Sequence, residues 1–303
     1  MPQRFLQIND LHLQGDRPIT PRRAASQRRA SWLLETIRVG GPATSVDFVL
    51  GLGDQVEGGS LEETQADLDA FAGHAAQWEC PFYPVPGNHD IGAHEGEPQW
   101  EQPFLSAFDL TATNYSFVRD GLRFLMLNNA GTLACSAVVA RRRADWLASQ
   151  LTTGEKLPTV LCCHVPLLPM RDPEVLAASC RFQPWQCAEP AVLEAVRAHR
   201  DQVVAVLSGH LHLTGVVEDC GVTHVCVAGV ATFPSDYAVY THDDGRLAVE
   251  IRQVPPSLLD PASNIHGPPR HDRDFVDRGH TSPVEYVMGR DDERRFCIDL
   301  GRR

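Results

Sequence analysis

Short apolar runs alternate along the chain with longer stretches whose apolar positions recur at helical spacing, the pattern of an α/β fold. Residues 4–8 predict a strand. Residues 21–39 predict an arginine-rich helix, with Pro21 near its start and Gly40-Gly41 beyond its end. Residues 47–52 form a second strand, and Ser60 with Glu63 makes a capping-box pair opening a helix that runs to about Trp78. A strand at 82–85 follows, then a hairpin of residues 115–118 and 123–128 turned at Asp120-Gly121. A helix at 138–151, a strand at 159–163, a helix at 189–199 and a strand at 203–207 continue the alternation, and strands dominate from 215 to 252. After Val254 prolines break any long element. The chain therefore divides into a main domain, residues 1–254, and a C-terminal extension or cap, residues 255–303.

Five strand-like segments end in small clusters of Asp, Asn, His and Gly. The clusters are Asp10-Leu11-His12, Gly53-Asp54, Gly87-Asn88-His89-Asp90, His164 and Gly209-His210-Leu211-His212. Each alone is weak, since a histidine after an apolar run is usually a core residue and Gly-Asp is usually a turn. Their conjunction is harder to explain. Open α/β sheets gather ligand sites at the C-terminal ends of their strands, so these clusters converge in space. Carboxylate, imidazole and amide oxygen suit borderline divalent metals such as Mn, Fe, Zn or Co. One carboxylate can bridge two ions, and two ions about 3.5–4 Å apart clamp the attacking and leaving oxygens of an in-line displacement at phosphorus.

Charge sharpens this picture. The 303 residues carry 27 Lys+Arg against 39 Asp+Glu, a formal net charge of −12, which argues against long nucleic acids as partners. With 43% hydrophobic and 22% charged residues, the chain is not a disordered one. Acidity also disfavours anionic phosphate esters at first sight. Asp10 and Asp54 are among those negative charges, however, and two divalent ions beside them would turn the local field positive. The nine cysteines include no Cys-x-x-Cys pair and mostly occupy apolar segments, as reduced core thiols of a cytoplasmic protein do. Neither a signal-peptide pattern nor an apolar run of membrane-spanning length is present, so no membrane partner is expected.

In order and spacing, the motifs D-x-H, G-D, G-N-H-D, H and G-H-x-H resemble those of the calcineurin-like metallophosphoesterase superfamily, over roughly residues 4–252. Residues 5–13 resemble in particular the class III cyclic nucleotide phosphodiesterase branch, which includes glycerophosphodiesterase-like enzymes. The resemblance implies a four-layer α/β/β/α sandwich of two mixed sheets flanked by helices, with residues 1–254 as the catalytic domain. It implies hydrolysis of small phosphodiesters by a hydroxide bridging two divalent ions. Asp10, His12 and His212 would bind one ion, Asn88, His164 and His210 the other, and Asp54 both. His89 would lie near the phosphate to stabilise charge or protonate the leaving oxygen, and Asp90 would orient a ligand or the loop. Glu57 stands where some relatives carry an acidic partner for the catalytic histidine. A Glu57–His89 pair would raise the imidazole pKa, the alternative being a solvated loop glutamate. The chain departs from the pattern at Asn9, where Ser or Thr is more usual, and at Asn128-Asn129, where relatives often place an Asp.

Residues 165–187 follow directly on His164 and could wall the site with apolar groups, with Arg171 or Arg181 near the phosphate; plain packing under a long loop is the alternative. His266, His271 and His280 read as exposed loop residues, and Arg22, Arg23, Arg28 and Arg29 as a solvated helix face. A phosphomonoesterase, nucleotide pyrophosphatase or nuclease on the same scaffold is the alternative function. A non-catalytic scaffold is disfavoured because every ligand position holds a competent residue. The sequence leaves oligomeric state open, a homo-oligomer included.

Overall fold

Along β1 (Gln3–Ile8) the side chains alternate between two buried layers, Phe5 facing one and Leu6 and Ile8 the other. A strand covered on both faces needs a partner layer on each side. The computed structural model of the chain describes residues 2–15, 18–19, 21–41, 45–131, 136–179, 190–266, 280 and 282–301, and it places a second sheet on one side and helices on the other.

In chain order the elements after β1 are α1 (Pro21–Arg38), β2 (Phe48–Leu52), α2 (Leu61–Ala75), β3 (Phe82–Val85), α3 (Pro98–Ala107), β4 (Tyr115–Arg119) and β5 (Leu122–Leu127). Then come α4 (Ala137–Thr153), β6 (Thr159–Cys163), α5 (Pro173–Ser179), α6 (Pro190–Ala198), β7 (Val203–Ser208), β8 (Gly215–Asp219) and β9 (Val222–Cys226). The chain closes with β10 (Asp236–Asp243), β11 (Arg246–Gln253), α7 (Pro283–Met288), α8 (Asp291–Arg294) and β12 (Arg295–Asp299).

One sheet runs β12-β11-β10-β1-β2-β3 and the other β4-β5-β6-β7-β9-β8. In the first, β1, β2 and β3 are parallel; in the second, β5, β6, β7 and β9 are. Antiparallel strands flank both parallel blocks, so both sheets are mixed. Their facing surfaces enclose a core in which Phe5 stacks between Phe48 and Tyr240, with centroids 4.9 and 4.7 Å away. Leu33, Leu68, Phe71 and Phe104 from α1, α2 and α3 cover the outer face of the first sheet, and Leu147 and Val196 from α4 and α6 cover the second. This is the expected four-layer α/β/β/α arrangement. The hairpin forms as expected, with Asp120 and Gly121 both at positive φ in its turn. Ser60 and Glu63 cap α2 reciprocally.

Elements beyond Val254 pack back onto the edge of the first sheet and onto residues 211–216, which follow β7. β12 pairs with β11 as an edge strand, and Arg294 donates two hydrogen bonds of 2.9 Å to buried Asp236. His266 and His280 are buried, not exposed: His266 Nε2 meets the Leu211 carbonyl at 2.6 Å, and His280 Nε2 meets Glu293 at 3.1 Å. His271 lies outside the described residues. Arg171 does not approach the site, because Glu293 and the carbonyls of Tyr286, Met170 and Thr214 take its donors. Val165, Leu167 and Met170 pack into the core, so the described part of the expected apolar wall is interior; Arg181 and residues 180–187 lie outside the described residues. Of the six free thiols among the described residues, Cys162, Cys163 and Cys226 are buried, Cys80 is half-buried, and Cys220 and Cys297 are exposed. Among the described residues no helix is long and apolar enough to cross a membrane.

The Arg171–Glu293 pair fastens α8 beneath β8. Burial opposes the Glu293 charge, but His280 and Arg171 outweigh it and pull the carboxyl down to about 2. Its contribution is therefore present above the ordinary glutamate pKa and is lost as pH falls through about 2. Glu293→Ala leaves a buried guanidinium without its counter-ion and is expected to cost about 3 kcal/mol. Calorimetry at pH 7 should show Tm several degrees lower, and an unchanged Tm would assign the anchoring elsewhere.

Candidate functional site

The ends of β1, β2, β3, β6 and β7 point to one crevice between the two sheets, because each belongs to a parallel block running the same way. The chain does not simply turn there. Asp10, His12, Asp54, His210 and His212 all have φ between 48° and 70°. The left-handed region costs a non-glycine residue about 1–2 kcal/mol, and five such residues together mark a place where packing enforces strain. Close approach demands glycine beside them. A Cβ on Gly87 would lie 2.2 Å from Asp54 Oδ1, and one on Gly53, at φ +84°, would lie 2.3 Å from His164 Nδ1.

Two groups of donor atoms result. Asp10, His12 and His212 present ligand atoms within 4.8 Å of one another, as do Asp54, His164 and His210. Asp10 Oδ2 accepts from Asn9 Nδ2 at 2.6 Å and from the His210 amide at 2.9 Å. Its other oxygen, Oδ1, is buried with no hydrogen-bond partner and faces His212 Nε2 at 3.4 Å and His12 Nε2 at 3.9 Å. His12 Nε2 likewise makes no hydrogen bond. In the second group His164 Nε2 sits 3.1 Å from Asn88 Oδ1, 3.2 Å from His210 Nδ1 and 3.3 Å from Asp54 Oδ2. Asp54 belongs to both, since the same Oδ2 is 3.6 Å from His12 Nε2. Buried donors left without partners and facing one another fit divalent cations of borderline character.

Three of these imidazoles, those of His12, His164 and His212, are oriented from behind, leaving one nitrogen for the crevice. His164 Nδ1 meets the Leu52 carbonyl at 2.9 Å, and His212 Nδ1 meets Thr232 Oγ1 at 2.8 Å. His12 Nδ1 meets Glu57 Oε2 at 3.0 Å. This corrects the expected Glu57–His89 pair: the Glu57 carboxylate lies between His12 and Arg23, while its backbone carbonyl takes His89 Nδ1 at 2.7 Å. Glu57 is thus neither a solvated loop residue nor a carboxylate partner of His89. Its third neighbour group, with His12 and His89, has its Nδ1 atoms already committed. Of the two roles expected for Asp90, the contacts are those of a loop brace: both its oxygens accept backbone amides, from Val56 at 3.0 Å and Gly87 at 2.7 Å.

Electrostatics follow from burial and crowding. Burial pushes Asp10 up to about 6. It pushes Asp54 up as well, but the His164 and His89 imidazoles outweigh it and hold the carboxyl well below the usual range. Burial works against a charged His164, yet Asp54 raises it to about 9. Burial and neighbouring His12 hold His212 well below the ordinary histidine range. Burial would lower His89, but the Asp54 carboxylate and the Glu57 carbonyl prevail and raise it. Burial and Asp54 bring Asp90 to about 7.

Several residues support the site in ways the sequence did not indicate. Asn129 Oδ1 accepts the amides of His164 at 3.0 Å and Val165 at 2.9 Å, shaping the turn that presents His164; its unusual type at that position was the only signal. Gln27 Nε2 holds the His12 carbonyl at 2.8 Å. Arg29 is buried and donates to the Val230 and Ala231 carbonyls, while Arg23 pairs with Glu57, so the arginine face of α1 is only partly solvated. Glu57→Gln should weaken metal binding about 10- to 100-fold by loosening His12, measured by titrating the metal-free protein with Mn²⁺; an unchanged affinity would separate Glu57 from the centre.

This geometry can be compared with known proteins. A probable cyclic nucleotide phosphodiesterase of Synechococcus is 28% identical over 207 residues, covering 68% of this chain and 72% of the relative. A cAMP/cGMP dual specificity phosphodiesterase of Mycobacterium tuberculosis is 26% identical over 237 residues, covering 78% and 69%. A dimetal phosphatase from Danio rerio shares the fold, with a TM-score of 0.58 at 17% identity over 84% of this chain and 97% of that one. The family model described as calcineurin-like phosphoesterase matches residues 3–213, which takes in every strand end that feeds the crevice. The chain belongs to the calcineurin-like phosphoesterase family and is a metal-dependent phosphoester hydrolase.

Proposed function

We propose that this chain is a dinuclear phosphodiesterase of small diesters, of cyclic nucleotide or glycerophosphodiester type. The carrying observation is Asp54 Oδ2, set 3.6 Å from His12 of one donor group and 3.3 Å from His164 of the other. Asp10, His12 and His212 would hold one divalent ion, Asn88, His164 and His210 a second, and Asp54 both. Such ions supply Lewis acidity: they polarise the phosphoryl group and acidify water. Mn, Fe, Zn and Co all suit this donor set.

His89 handles the leaving group. The Glu57 carbonyl fixes its Nδ1 as the donor, which leaves Nε2 to carry the mobile proton. As water's oxygen bonds to phosphorus, the ester P–O bond breaks and the departing alkoxide takes the proton from Nε2; the proton that the water gives up passes to solvent, from which Nε2 is reprotonated. A diester is favoured by the names of the relatives and by the cavity beside His12, His89 and His212, about 270 Å³, which admits a small ester substituent. Free buried thiols suit a reducing compartment such as the cytoplasm.

The test is a comparison of bis(p-nitrophenyl) phosphate with p-nitrophenyl phosphate on Mn²⁺-reconstituted protein. The diester should be turned over with the higher kcat/KM. Preference for the monoester would favour a phosphomonoesterase on the same scaffold.

A further inference from the structure

The cavity of about 270 Å³ beside the donor groups is roofed by two parts of the chain that supply no candidate ligand. α1 contributes Arg23 and Ser26, and the segment after β11 contributes Ser263 and Ile265. The volume sits just under the range typical of sites for drug-sized ligands, so it takes a fragment of a molecule, one ester substituent rather than a whole substrate.

Three hydroxyls line it, and two are engaged. Thr232 Oγ1 meets His212 Nδ1, and Ser263 Oγ donates to the Asp260 carbonyl while accepting the Phe233 amide. The third, Ser26 Oγ, is different: the residue is 3% exposed and its hydroxyl has no hydrogen-bond partner. A buried hydroxyl without a partner is costly unless a ligand completes it. Its place is fixed from both ends. Arg23, one turn before it on the same face of α1, is tied to Glu57, and Arg29, one turn after, is tied to the carbonyls of Val230 and Ala231. Gln27 clamps the same helix to the His12 backbone. Ser26 is therefore a rigidly held donor and acceptor in the wall of the cavity that His12, His89 and His212 share.

We infer that Ser26 is a specificity-determining residue that hydrogen-bonds a hydroxyl carried on the carbon next to the ester carbon of the substrate. Arg23 at the rim adds positive charge for the adjoining phosphate. The same chemistry, a vicinal hydroxyl, occurs in a ribose 3′-ester and in a glycerol ester. The inference rests on the phosphodiesterase reading above and narrows its substrate class.

The experiment uses the Mn²⁺-loaded full chain and two matched pairs: 3′,5′-cyclic AMP with its 2′-deoxy analogue, and glycerophosphocholine with the analogue lacking the 2-hydroxyl. In at least one pair the wild type should favour the hydroxyl-bearing member by about tenfold or more in kcat/KM. The pair that shows it identifies the source, nucleotide or glycerol. In Ser26→Ala that ratio should fall to near one, and being a ratio it is insensitive to any general loss of activity. Calorimetric binding of the monoesters that keep the vicinal hydroxyl, 3′-AMP and glycerol 3-phosphate, against their analogues lacking it should show the same discrimination and the same collapse without turnover. A wild type that cleaves bis(p-nitrophenyl) phosphate but does not discriminate in either pair overturns this inference alone. So does a Ser26→Ala protein that keeps the wild-type ratio. A wild type inert to every diester overturns the phosphodiesterase reading and this inference together.

Discussion

Replacing Asp54 with alanine is expected to lower diester turnover by about a thousandfold or more and to strip both ions from the protein. Among the described residues no other carboxylate is placed between the two donor groups. Its Oδ2 lies between His12 and His164, and its Oδ1 accepts the His89 amide at 2.8 Å, so one residue joins both donor groups and the loop bearing His89. Asp54→Asn separates these roles. The amide keeps the shape and an oxygen, but it removes the negative charge that holds two cations near one another, so metal content should still fall. Elemental analysis of the purified variants checks occupancy, and a melt checks folding. Turnover within about tenfold of wild type would remove Asp54 from the centre.

His89→Ala should behave differently: ions retained, kcat lower by about 10²- to 10⁴-fold. The ring lies edge-on to His12, 4.5 Å between centroids, and lines the cavity, yet it belongs to neither donor group joined through Asp54. A proton donor lost from the leaving oxygen matters most when that oxygen is basic. The deficit should therefore be larger for alkyl diesters than for nitrophenyl ones. The pH profile carries the sign. His89 is active as an acid only while protonated, so wild-type kcat should decline as pH rises through the point where Nε2 loses its proton. That decline should vanish in the variant. Loss of metal together with activity would make His89 a ligand.

How much of this was legible in the sequence depends on whether a feature is written locally. Strand ends were, because Asp10, Asp54, His164 and His210 follow apolar runs at once and glycine marks the close approaches. Helix α3 was missed because Pro98 and Pro103 interrupt its pattern, although one starts the helix and the other tolerates its place within it. β12 was missed because its partner β11 lies far back in the chain and the intervening prolines suggested only a tail. The partner of Glu57 could not be read, since His12 and His89 converge on it in space and only the fold assigns the carboxylate to one and the carbonyl to the other. Arg29 looked solvated because periodicity does not distinguish a charged face from a guanidinium that satisfies carbonyls 201 residues away. Thr232 and Ser26 matter only through what stands opposite them.

The central claim is that two ions share one carboxylate. Stepwise addition of Mn²⁺ to the metal-free chain, with bound metal and bis(p-nitrophenyl) phosphate turnover followed in the same samples, tests it most directly. Turnover should stay low through the first equivalent and reach its plateau as bound metal approaches two ions per chain. A plateau already complete at one ion per chain, or full turnover with no metal bound, would contradict it.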